Sequence, residues 1–183
     1  GEFGDDREAI SYPDGTIGLG RIPVRTAEDV AAYTDKVIRY ESAYHKGDFG
    51  STMVYTCTVP GAYAKVRRSW DDHVATVMPD GTMHRYFDNK TPWDKEEPGD
   101  HALSPENWVK LINEKSTGKL HFHGHGLFHG WNLEGRSMFT AKHVAKLTNA
   151  DAYPVITTVS CFTGQFDSEK DPCITESMLR VPK

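Results

Sequence analysis

Two short apolar runs decide how this sequence is read: Lys119-Leu-His-Phe-His-Gly-His125-Gly126 and Tyr153-Pro-Val-Ile-Thr-Thr-Val-Ser-Cys161. Both are rich in β-branched or aromatic residues and bounded by Gly, Pro or Asn, so both read as strands. Between them Phe139-Thr-Ala-Lys-His-Val-Ala-Lys-Leu-Thr-Asn149 reads as a short helix, with Thr140 to cap its start and Asn149 to end it. Strand, helix, strand is a crossover unit, and such units make parallel neighbours that end at the same edge of a sheet. His125 and Cys161, each at the end of its run, are thereby brought side by side. A thiol beside an imidazole is the pairing that a thiolate nucleophile and its base require.

Upstream, the same alternation continues. Thr26-Ala-Glu-Asp29 places a Thr cap ahead of acidic first-turn residues, and Val30, Tyr33, Val37, Ile38 and Tyr40 follow near helical spacing, so Ala27 to Tyr44 reads as a helix. Ser51 to Val59 reads as a central strand, Ala62 to Val77 as helix-containing, and Thr82 to Phe87 as a second core strand after the Pro79-Asp-Gly81 turn. Ile17 to Ile22 reads as a short strand weakened by its glycines. Asn89 to His101 is polar and loop-like. Ser104-Pro105 opens a helix running to Asn113, with Ser as cap and Pro at the first position. The order of elements specifies an α/β fold, a three-layer α/β/α sandwich with a mainly parallel sheet, whose ligand sites lie beyond the carboxyl ends of the strands. Residues 1–13 read as a flexible acidic segment beginning with a cloning remnant, Gly1-Glu-Phe, and residues 14–183 as one domain.

Bulk properties narrow the function classes. The formal net charge is −5 and no block of like charge stands out, which argues against a nucleic-acid partner. No run approaches the length of a membrane span. Three cysteines, an odd number without metal-type spacing, argue against a disulfide framework. Cys57, in mid-strand, and Cys173, before Ile174, Met178 and Leu179, fit the role of small buried hydrophobes. Cys161 ends its strand and is followed by Phe-Thr-Gly. His121, His123 and His125 alternate and so share one face. With His129 they offer an alternative reading as a metal-binding module or metal-dependent hydrolase, although same-face positions on one strand do not close a tetrahedral site.

His123-Gly-His-Gly126 after a strand, Val159-Ser-Cys-Phe-Thr-Gly-Gln-Phe-Asp167 and Pro172-Cys-Ile-Thr-Glu-Ser-Met-Leu-Arg180 together resemble the gingipain family of cysteine peptidases, which has a caspase-like fold. Gly20-Arg-Ile-Pro-Val-Arg-Thr-Ala-Glu-Asp29, with the helix to Tyr40-Glu41, resembles a gingipain segment as well, so the likeness runs from about Asp14 to Arg180. The resemblance implies Cys161 as nucleophile, His125 as base, and the N–H groups of Gly126 and Cys161 as oxyanion donors. It implies cleavage after Arg or Lys, for which Asp80 and Asp167 are the candidate pocket acids. An upstream acid orienting the imidazole falls loosely at Asp71 or Asp72. It implies protein or peptide substrates, no required cofactor, room for structural calcium, and a secreted or cell-surface location. In that family the chain continues past the Met-Leu-Arg segment, so two alternatives stand: the chain is a shortened one, or the protein is self-processed after Lys183 and the remainder is a second chain of the same precursor. An inactive peptidase-like binding domain is the remaining alternative.

Overall fold

The computed structural model describes residues 20–43, 50–58, 72, 75–76, 79–87, 101–114, 117–133, 135, 137–150, 152–168 and 171–180. In chain order the elements are helix α1 (Ala27–Ala43), strands β1 (Thr52–Cys57), β2 (Thr82–Phe87) and β3 (His101–Ala102), helix α2 (Pro105–Asn113), strands β4 (Lys119–His123), β5 (Gly126–Leu127), β6 (Gly130–Asn132) and β7 (Met138–Thr140), helix α3 (Ala141–Val144), strand β8 (Val155–Val159) and helix α4 (Ile174–Arg180). Five strands form one sheet in the order β3-β2-β1-β4-β8, and every neighbouring pair is parallel.

The burial pattern explains the order. β1 is buried along its whole length, as a strand flanked by partners and covered on both faces must be. On β4, Leu120 and Phe122 turn to one face while Lys119, His121 and His123 turn to the other. Under Leu120 and Phe122 lies α2, whose Trp108, Leu111 and Ile112 fall at helical spacing and are buried. Ser104 Oγ accepts the Asn107 N–H at 3.2 Å, the expected cap, and Pro105 occupies the first turn. Trp108 meets Phe122, Trp131 and Phe139 at ring separations of 5.7, 5.3 and 5.2 Å, so helix, main sheet and the segment after β4 share one aromatic core. α4 packs against α1, where Lys36 Nζ donates to the carbonyls of Met178 and Leu179 at 2.7 and 2.8 Å.

Several expectations are corrected. The chain between β4 and β8 is not simply a crossover helix: β5, β6 and β7 form a second, antiparallel sheet, and only Ala141–Val144 is helical. Phe139 belongs to β7 because its ring is fully buried against Trp131, and that burial outweighs helix propensity. Asn149 is buried, with Nδ2 donating to the Ala152 carbonyl, and lies well beyond the end of α3. Residues 20–22 form no strand. His101 and Ala102, placed in or beside a loop by their polar surroundings, pair with Tyr86 and Phe87. Of the expected helix over 62–77 only Asp72, Ala75 and Thr76 are described, all helical. Residues 1–13 lie outside the described residues. No helix among the described residues is long and apolar enough to cross a membrane.

Candidate active site

Strands β4 and β8 pair as far as His123 opposite Val159, so both chains run out at the same carboxyl edge, His125 two residues beyond one strand and Cys161 two residues beyond the other. The Gly124 N–H still donates to the Val159 carbonyl at 3.1 Å, so the two chains stay together past the strand ends. A side chain at 124 would overlap Thr58 Oγ1 and the Phe122 ring. The chain then turns into the small sheet. Gly126 pairs with Trp131, and the Asn132 N–H donates to the His125 carbonyl at 2.9 Å. Since Trp131 is anchored in the aromatic core, the His125-Gly126 segment is held at the carboxyl edge of the main sheet.

Gly126 makes the decisive contact. A Cβ at this position would overlap Ser160 Oγ, stand 2.5 Å from Thr163 Cγ2 and come within 3.0 Å of the Cys161 carbonyl oxygen. The Gly126 α-carbon therefore lies against the Ser160-Cys161 backbone, with no room for a side chain between them. Cys161 is a free, exposed thiol, and His125 is exposed on the segment that Gly126 holds against the cysteine turn. Among the described residues neither side chain is tied up in a hydrogen bond. Directly after the cysteine, Phe162 holds a left-handed backbone with φ 58°, which is costly for a bulky residue and turns the chain sharply. Its carbonyl accepts the Gln165 N–H at 3.1 Å, and its ring is 64% exposed. An exposed thiol, an exposed imidazole and close backbone at one sheet edge are the parts needed for nucleophilic acyl transfer.

The model of peptidase family C25 matches residues 5–183. The chain belongs to peptidase family C25. Two solved structures share its fold. One is titled as a complex of Porphyromonas gingivalis RgpB pro- and mature domains, 22% identical with a TM-score of 0.64, covering 87% of this chain and 36% of that one. The other is titled as the Arg-specific cysteine proteinase gingipain R, 20% identical with a TM-score of 0.64, covering 90% and 38%. The chain thus spans little more than a third of either. A search of the curated proteins found no match. The gingipain-like reading of the family and of the mainly parallel α/β fold holds.

The remaining candidates of this C25 chain are scattered. Asp80 is exposed in the turn that precedes β2, at the amino edge of the sheet, and the structure does not bring it to His125 and Cys161. Asp167 is exposed on the segment following Cys161. Asp71 lies outside the described residues, while Asp72 is helical and exposed. His121 is buried below the site. Its Nδ1 lies 2.8 Å from Thr157 Oγ1 and its ring stacks on Tyr55 at 5.7 Å. Burial, aided by the neighbouring His123, pushes its pKa down to about 4, so the ring is neutral near pH 7. Among the described residues no three His, Cys, Asp or Glu side chains converge where an ion could sit. Sequence reading missed Ser160 and Thr163, which pack against Gly126; only the three-dimensional contact exposes them.

Proposed function

We propose that this C25 chain carries the nucleophile and base of a cysteine endopeptidase that cuts after a basic residue. The single observation behind this reading is the packing of Gly126 against the Cys161 carbonyl, which couples the histidine segment to the cysteine turn. Cys161 attacks the scissile carbonyl as thiolate, forming a C–S bond and an oxyanion. The N–H groups of Gly126 and Cys161 receive that oxyanion. His125 gives its proton to the leaving amine as the C–N bond breaks, then takes a proton from the water that hydrolyses the thioester. Exposed Leu127 and Phe162, each next to a proposed catalytic position, give an extended peptide apolar surface to lie on.

The preference for a basic residue has two supports. One solved relative is titled Arg-specific. In this chain Asp167 is exposed six positions after the nucleophile and is the carboxylate we assign to a guanidinium or ammonium group. The test is hydrolysis of fluorogenic peptides ending in Arg, Lys or Leu before the reporter. Wild type should release the reporter from the Arg or Lys peptides only. Cys161→Ala and His125→Ala should abolish release. Equal release by Cys161→Ala and wild type would sink the proposal.

A further inference from the structure

The segment Pro172 to Arg180 and the arm Gly20 to Asp29 carry recognisable motifs, yet neither supplies a group to the proposed reaction. The structure gives them a common purpose. Arg25 Nε donates to Glu176 Oε1 at 2.9 Å and its Nη2 to Oε2 at 3.3 Å. Glu176, only 1% exposed, uses Oε2 to accept the Cys173 N–H at 2.9 Å. This locks the turn entering α4, and the Ile174 N–H fastens the same turn to the Phe128 carbonyl of the small sheet at 3.0 Å.

From that turn a hydrogen-bond relay runs back to the nucleophile. Thr175 Oγ1 donates to the Thr163 carbonyl at 3.0 Å. A hydroxyl has one proton, so with it committed to Thr163, Thr175 Oγ1 is left to face Cys173 Sγ, 3.1 Å away, as an acceptor, and the thiol divides its proton between that oxygen and the Glu176 carboxylate. Thr163 in turn is 1% exposed, its Oγ1 donates to the Ser160 carbonyl at 3.3 Å, and its methyl faces the Gly126 α-carbon. Two links have a fixed direction, Thr175 O–H to the Thr163 carbonyl and Thr163 O–H to the Ser160 carbonyl, and Cys173 abuts the start of the chain at Thr175. Cys161 sits inside the loop that the last bond closes.

We infer that Thr175, abutted by Cys173, is a positioning residue for Cys161: the relay sets the height of the nucleophile turn against Gly126. The inference rests on the peptidase reading. A register error of about 1 Å at a reacting centre costs up to about a hundredfold in rate, so loss of one relay bond, a smaller shift, should cost about tenfold.

The experiment uses an arginyl or lysyl chloromethyl ketone, with adducts assigned to Cys161 by peptide mass mapping and the inactivation rate separated into Ki and kinact. Thr175→Val should lower kinact about tenfold and leave Ki unchanged. Thr175→Ser, which keeps the hydroxyl, should restore it, and Cys173→Ser should behave as wild type where Cys173→Ala does not. A melting curve on each variant establishes that it is folded, and the Cys173 pair reads the same relay should Thr175→Val not fold. Labelled wild type with an unchanged kinact in folded Thr175→Val, or Thr175→Ser as slow as Thr175→Val, overturns the inference alone. No adduct on wild-type Cys161 overturns the peptidase reading and the inference with it.

Discussion

Replacing Gly126 by Ala puts one methyl group where the structure has none to spare. The new Cβ would stand 2.5 Å from the Thr163 methyl, whereas ordinary contact begins at 3.4 Å. The His125-Gly126 segment must therefore retreat from the cysteine turn by roughly 1 Å, because the obstacles on the other side include the Cys161 backbone, which cannot rotate away. Overpacking of this kind costs about 1–3 kcal/mol in stability, and a misplacement of that size costs on the order of a hundredfold in rate. Gly164→Ala is the matched control: it lies three residues past Cys161, and a Cβ there meets nothing within 4 Å. The assay is kinact for Cys161 with the same chloromethyl ketone, beside a melting curve. Gly126→Ala should label about a hundredfold more slowly while remaining folded, and Gly164→Ala should match wild type. If folded Gly126→Ala labels as fast as wild type, the contact does not set the site geometry and the reasoning fails.

Other consequences can be measured on the same protein. His121 has a folded pKa of about 4, below its ordinary value of 6.5, so the unfolded chain binds the extra proton between these limits and stability must fall as pH is lowered through that window. The loss should be on the order of 2–3 kcal/mol, read as a drop in urea midpoint from pH 7 to pH 4 that is reduced in His121→Gln; the same slope in both proteins would contradict it. Arg25→Ala removes the two-pronged partner of the buried Glu176 carboxylate, leaving it the Cys173 N–H and Arg180 at 3.8 Å, and should lower the urea midpoint, whereas Arg25→Ala with Glu176→Gln should recover part of the loss. Ser104→Ala removes the cap of α2 and should cost about 1 kcal/mol in the same titration.

Much of the fold was legible in particular residues. The alternation in Lys119–His123, the β-branched run Val155–Val159 and the Ser104-Pro105 start of α2 are local signals, and each element forms where they point. The parallel crossover logic brought the ends of β4 and β8 to one sheet edge without any long-range information. The small sheet was not legible. Its strands are two or three residues long, too short for periodicity, and Phe139 is held there by Trp108, distant in sequence, and by Trp131, on another of these short strands. Asp80 looked like a pocket acid only because a turn aspartate carries no mark of which sheet edge it occupies. The relay through Thr163, Thr175 and Cys173 was invisible for a related reason: hydroxyls and thiols have no spacing rule, and their partners lie twelve residues apart.

The central claim is that Cys161 is an activated nucleophile whose partner is His125. The most direct measurement is the intact mass of wild type, Cys161→Ala and His125→Ala after incubation with an arginyl or lysyl chloromethyl ketone. The account predicts one adduct on wild type, none on Cys161→Ala and a strongly slowed adduct on folded His125→Ala. An adduct that persists on Cys161→Ala, or a His125→Ala protein that labels at the wild-type rate, would contradict it.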